Sequence, residues 1–448
     1  MTVKNPEQGD GRARNKMLRN NILLSGVLKA ISLGTSFLIV PVTLGYLDKE
    51  PYGIWMTISS MAFWIFTFDI GLGNGMRNYL TMAISSADDK AARTYISSTF
   101  AMLSLLSVAM AIIAIPLVMQ LDFNQILNTR CLSNDYLQLV ILVALLLTLV
   151  NFVVKNIGFI YVAMQQYAIN DLLTVGGNVA ALGVIYLLAH TTEGNLLYVV
   201  TTFMAMPVII FLVGSIPLFL KHPALRPSFR DIDIAFSHGI IKKGLGFFFI
   251  QITSCLVIFG GSNLFISHIS GPEAVTTYNI AYKYFNLLII GYTIIIAPMW
   301  NAYTDAAVKN NWEWIRSTFK KAMLFWGATV GIGFIMLIFC NYFYAFWVGE
   351  SLSVPITVSA SVMAFITFFN LNNCVTYLLN GVNTIRIQII TSVIATLIYL
   401  MTLLFFGKDW SIEGVVLSMT LCYAGMSIVH LYQSRLIINQ KATGIWSK

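Results

Sequence analysis

The chain of 448 residues is 57% hydrophobic and 10% charged, with 27 Lys and Arg against 19 Asp and Glu and a formal net charge of +8. Soluble domains carry about 25% charged residues, and no polar stretch here is long enough to form one, which excludes a soluble enzyme. Runs of about 20 apolar residues, the length that crosses a bilayer, recur from end to end without the short alternation of a membrane barrel. The sequence therefore reads as an all-α polytopic membrane protein.

Taken in chain order between polar breaks, the apolar runs give about twelve transmembrane helices: 20–46, 52–75, 95–118, 136–163, 170–189, 195–220, 244–268, 276–302, 319–347, 354–381, 385–407 and 411–433. The first is too long for a cleavable signal peptide and is followed by another span. It carries Ser25, Lys29, Ser32 and Ser36 on one helical face. The second ends in Asp69-Ile70-Gly71-Leu72-Gly73-Asn74-Gly75-Met76-Arg77-Asn78, where Gly71, Gly73 and Gly75 weaken a helix end and permit close packing or a turn. The fourth has Thr148, Asn151, Lys155 and Gly158 on one side. The seventh offers Gln251, Ser254, Ser262 and Asn263. The eighth offers Asn279, Lys283, Asn286 and Thr293. The tenth has a neutral stripe of Asn370, Asn373, Tyr377 and Asn380. Pro41, Pro298 and Pro355 lie within or beside spans, where a proline can kink a helix.

Lys29, Lys155, Lys283 and Asp69 are the charged residues that lie inside these spans away from their ends. Charge in hydrocarbon is costly, so such residues face a water-filled cavity and mark a pathway. Three cations against one anion predict a cavity that receives something negative, with Lys29, Lys155 and Lys283 as its cations. Ser25, Ser32, Asn151, Gln251, Asn286, Asn370, Asn373 and Tyr377 are its candidate polar lining, although uncharged polar residues also join helices to one another. For Asp69, three readings stand: a charge pair with a neighbouring lysine, a cation- or proton-coupling site, or an interfacial residue.

The remaining basic residues divide by side. The N-terminal tail, the even-numbered loops and the C-terminal tail hold most of them, whereas the odd-numbered loops hold Lys49, Arg130 and Lys408. By the positive-inside rule both termini are cytoplasmic. The basic charge is thus a topology signal, not a nucleic-acid footprint. Asn311-Trp312-Glu313-Trp314 with Arg316, Lys320 and Lys321 reads as an interfacial anchor. No phosphate-binding loop, HExxH motif or catalytic constellation is present. The cysteines form no CxxC pair, and all but Cys131 fall in apolar runs. Neither enzyme activity, nor a cofactor, nor a metal site is expected.

An offset of 223 residues sets Glu50 on Glu273, Trp55 on Tyr278, Met76 on Met299 and Asn78 on Asn301. This doubling predicts two six-helix lobes as a parallel internal repeat, with a central cavity between them. The expected division is an N-terminal lobe over 1–220, a cytoplasmic linker over 221–243 and a C-terminal lobe over 244–448. A doubled chain closes its own cavity, so a monomer is expected.

Tyr52-Gly53-Ile54-Trp55 opening the second span, with the run Asp69–Asn78 closing it, resembles the Wzx-type O-antigen and polysaccharide flippases of the multidrug/oligosaccharidyl-lipid/polysaccharide exporter superfamily. The resemblance implies a MATE-like pair of lobes in the bacterial inner membrane. It implies flipping of undecaprenyl-diphosphate-linked oligosaccharide units for lipopolysaccharide or other surface polysaccharide, by alternating access. Lys29, Lys155 and Lys283 would meet the anionic head group. The implied partners are that lipid-linked glycan, the bilayer, and a polysaccharide polymerase with its assembly machinery. The alternative on the same fold is a cation-coupled exporter of small organic molecules, which calls for an acidic cavity.

Overall fold

The computed structural model describes residues 6–69, 72–233, 236, 261–350 and 352–447, and for 6–23, 25, 67 and 406–410 the backbone alone. Regular structure among the described residues is helical. In chain order the first helices are α1 (Pro6–Leu47), α2 (Lys49–Thr67), α3 (Leu72–Ser85), α4 (Asp89–Gln120), α5 (Phe123–Leu127), α6 (Asn134–Val154), α7 (Ile157–Ala163), α8 (Tyr167–Thr191) and α9 (Leu196–Lys221). Then come α10 (Ser262–Ser270), α11 (Pro272–Ile296), α12 (Met299–Val308), α13 (Trp312–Val348), α14 (Ile356–Gly381) and α15 (Arg386–Ile438). Ser411 has φ 53° and breaks α15 into two arms. Polar side chains start several of the helices: Asp88, Ser133, Asn195 and Asn311 each accept a first-turn N–H of the helix that follows, which is the ordinary N-cap interaction.

Among the described residues, ten helical segments are long and apolar enough to cross a membrane. They match the first, third to sixth and eighth to twelfth expected spans. The seventh, with Gln251 and Ser254, falls largely outside the described residues. The second is not one helix over 52–75 but α2 and α3, interrupted at Phe68 and Asp69. A second interruption, at Lys155 and Asn156, divides the fourth span into α6 and α7.

The chain divides into two compact units. The first comprises Met1–Asp48, Ile65–Asp122 and Leu132–Gly246. Within it α1 packs along α8, α8 on α9, α9 on α6, and α4 on both α3 and α6. Met76, Leu80, Ile96, Ile160 and Phe211 form its main core with Tyr161, whose hydroxyl donates to the Gly214 carbonyl at 2.7 Å. In a bilayer the surroundings are as apolar as the core, so such helices hold by close packing and hydrogen bonds. The segment after α9 is tied to α4: Arg93 Nε donates to the Ala224 carbonyl, and the Ser97 and Ser98 hydroxyls accept the N–H groups of Ser228 and Asp233.

The second unit comprises Lys49–Trp64, Phe123–Cys131 and Phe247–Lys448. Here the start of α2 lies against the start of α11. A Cβ on Gly53 would collide with the Pro272 carbonyl, so only glycine allows the approach. Thr276 Oγ1 donates to the Lys49 carbonyl at 2.6 Å, and Lys49 pairs with Glu273 at 3.1 Å. Ser267 Oγ donates to the Leu127 carbonyl, fixing α5 to α10. α14 packs against α11, α12, α13 and α15.

Candidate functional site

Lys155 sits where a spanning helix is interrupted. Its N–H still reaches the Asn151 carbonyl at 3.0 Å, and its own carbonyl accepts from Gly158 N–H at 3.0 Å. The break is held by Asn156, which is fully buried and donates to the carbonyls of Phe152 at 2.9 Å and Val153 at 3.3 Å. Lys155 Nζ lies 4.0 Å from the centre of the Phe66 ring and 5.9 Å from that of Phe152. Attraction of a cation to an aromatic face offsets part of the cost of holding it away from bulk water.

Asp69 occupies the interruption between α2 and α3. Its Oδ1 accepts from Gly73 N–H at 3.2 Å and its carbonyl from Leu72 N–H at 2.8 Å, so it caps the first turn of α3. A carboxylate there also suits the positive end of the helix dipole. Its charge and that of Lys155 interact. They form no direct ion pair: those found among the described residues are Lys49–Glu273 and Lys309–Asp305. Gly73 explains why the two interruptions fit together. A side chain there would run into Asn156 Oδ1 and the Phe159 ring.

Lys155 lines a cavity of about 350 Å³ within the first unit. Asn151 of α6, Lys155 in the break and Phe159 of α7 supply one wall. Asn170, Thr174 and Asn178 of α8 supply another at four-residue spacing, hence from one face, and Pro207 and Phe211 of α9 complete it. Gly158 makes room for the Asn170 amide, since a Cβ would collide with Asn170 Oδ1. Asn151 Oδ1 is buried without a hydrogen-bond partner among the described residues. The α8 residues were not among the expected lining. Their signal was present in the sequence as an uncharged polar stripe in the fifth span, like those of the seventh and tenth.

The other expected residues are placed as follows. Lys29 is exposed on α1, Ser32 is half-buried, and neither lines the Lys155 cavity; the Ser25 side chain lies outside the described residues, as do Gly71 and Gln251. Gly75 and Arg77 lie on α3, with Arg77 donating to Asn78 Oδ1. In the second unit Lys283 and Asn286 are half-buried on α11. Asn370 is 1% exposed and donates to the Leu288 carbonyl at 3.3 Å, joining α14 to α11. Asn373 and Tyr377 are half-buried, Tyr377 lying edge-on to Trp300. Among the described residues no cluster of His, Cys, Asp and Glu could hold a metal ion.

No family model matches the chain. It is 22% identical over 418 residues to a protein of Salmonella typhimurium (strain LT2) named "Putative O-antigen transporter", covering 89% of this chain and 92% of that one. A Salmonella typhi protein of the same name is 20% identical over 425 residues, covering 92% and 95%. Among solved structures, the inward-facing conformation of a multidrug resistance MATE family transporter of the MOP superfamily superposes with a TM-score of 0.74 at 15% identity, over 92% of this chain and 94% of that one. The resemblance first carried by residues 52–78 thus extends over about nine tenths of the chain, which is a multi-pass membrane protein with the MATE transporter fold, similar to proteins named "Putative O-antigen transporter".

Proposed function

We propose that this chain flips undecaprenyl-diphosphate-linked oligosaccharide from the cytoplasmic to the periplasmic leaflet of the bacterial inner membrane, with both termini in the cytoplasm. The observation that carries the reading is Lys155, a cation held in a helix break on the wall of a polar cavity and free of a direct carboxylate partner among the described residues. A diphosphate cannot enter hydrocarbon unaided. An ammonium about 4 Å from a phosphate contributes roughly 4 kcal/mol at the effective dielectric of a partly wet site. The nearby Asp69 charge tempers that attraction, which lets the head group leave on the far side. Lys29 and Lys283 are the further cations of the pathway, and the polyprenyl tail stays in the bilayer. The names of the two Salmonella relatives support a glycan substrate. Lobes that open alternately to the two sides supply the movement, with no enzymatic step.

The second reading, a cation-coupled exporter of small organic molecules, is favoured by one observation, the Asp69 carboxylate whose charge interacts with that of Lys155. Complementation separates the two. In a flippase-deficient strain with a matching glycan, the wild-type chain restores surface polysaccharide, Lys155→Arg retains it, and Lys155→Ala loses at least about tenfold, the worth of some 1.4 kcal/mol, at equal membrane abundance. Failure of the wild type to restore surface glycan, despite normal insertion, would sink the flippase reading and leave the exporter.

A further inference from the structure

The cavity beside Lys155 has a neutral half that phosphate binding does not need. Asn170, Thr174 and Asn178 repeat along α8, and Thr174 and Asn178 are exposed on a helix that spans the membrane. Exposed polar groups at membrane depth are tolerated where they line a water-filled space or meet a polar ligand. Asn151 adds a buried carbonyl oxygen with no donor among the described residues, one turn from Lys155. An amide both donates and accepts, and so does a sugar hydroxyl. Phe159 and Phe211 bring apolar faces to the same cavity, matching the C–H face of a pyranose ring. A space of about 350 Å³ falls at the small end of ligand pockets, which run from about 300 to 1,000 Å³. It suits a sugar head, not a polyprenyl tail.

We infer that Asn151, Asn170, Thr174 and Asn178 form a carbohydrate subsite that reads the sugar attached directly to the diphosphate, while Lys155 holds the phosphate next to it. This rests on the proposed flippase function and assigns one part of its substrate to one face of α8. Asn151 lines the wall one turn from Lys155 and completes the polar surround. Asn178 and Thr174 set which hydroxyl pattern fits, because a site built to bond a hydroxyl discriminates strongly against a ligand without it.

The test uses the full-length protein in lipid nanodiscs and two probes: undecaprenyl diphosphate, and the same lipid carrying one hexose. The wild type should bind the glycosylated lipid about tenfold more tightly than the bare one, a preference worth about 1.4 kcal/mol. Asn178→Ala and Thr174→Val should bring that preference to about threefold or less and leave binding of the bare lipid unchanged. Both side chains are exposed, and the Thr174 hydroxyl donates to the Asn170 carbonyl of its own helix, so neither substitution removes a bond between helices. Lys155→Ala should weaken both probes alike. If the two α8 variants keep the full preference, the subsite is overturned, the cavity holds only water there, and the flippase reading stands. If the wild type binds neither probe, that reading falls and takes the subsite with it.

Discussion

At the scale of single residues, the site depends on side chains that are missing as much as on those present. Gly158 leaves the space into which the Asn170 amide fits, so Gly158→Ala should push that amide aside. Overpacking of this kind costs about 1–3 kcal/mol. The check is a lower unfolding temperature in detergent together with reduced surface glycan in the complementation strain. Asn156 acts differently: its amide bonds the Phe152 carbonyl, which the interrupted helix would otherwise leave bare, and shares the Val153 carbonyl with its own backbone N–H. Asn156→Leu should destabilise the protein by about 1–3 kcal/mol through the orphaned Phe152 carbonyl. A thermal melt indistinguishable from wild type would show that water serves as well. The sequence made Lys155 legible because a charge inside an apolar run stands out. Asn170, Thr174 and Asn178 have the same spacing but no charge, and neutral polar residues in spans usually join helices. Only the placement of α8 across from Lys155 distinguishes the two roles.

At the scale of elements, the informative places are the two interruptions. The alternating glycines after Asp69 marked a weakened helix end, although the span was expected to run unbroken to residue 75. The break at Lys155 carried no such mark, because a two-residue interruption barely alters the hydropathy of a window of about 20 residues. Prolines were a mixed guide. Pro298 lies between α11 and α12 and Pro355 just precedes α14, whereas Pro41 lies inside an unbroken α1. Asp69 offers a way to separate charge from capping. Asn at this position can still accept from Gly73 N–H, but Ala cannot. Asp69→Asn should melt like the wild type while Asp69→Ala loses about 1 kcal/mol, the ordinary worth of a cap. If the carboxylate also couples transport to a cation, both variants stop flipping. If it only caps and tempers Lys155, Asp69→Asn keeps flipping.

At the scale of the whole molecule, the run of apolar spans fixed the all-helical membrane class from composition alone, and ten of the expected spans reappear as long apolar helices. Orientation is testable with a residue the chain already owns. Cys131 is exposed in the loop before α6, on the side expected to face the periplasm, while Cys340, Cys374 and Cys422 are buried. A membrane-impermeant maleimide added to intact cells should label Cys131, and labelling only after lysis would invert the topology. Burial of its sulfur pushes the thiol up, and the Glu50 carboxylate adds to this against a hydrogen bond from Thr129. The thiolate is the reactive form, so labelling should be slow at pH 7 and quicken as the pH rises.

What the sequence did not disclose is that Lys49–Trp64 packs with segments made much later. Gly53 waits for Pro272, and Lys49 for Thr276 and Glu273. During synthesis this stretch emerges long before its partners, so the second unit closes over a distant contact, the kind whose loop entropy slows folding. A gene split within 221–243 would therefore yield a downstream fragment lacking part of its own packing. The two fragments should accumulate stably when made together, and the downstream one made alone should be degraded.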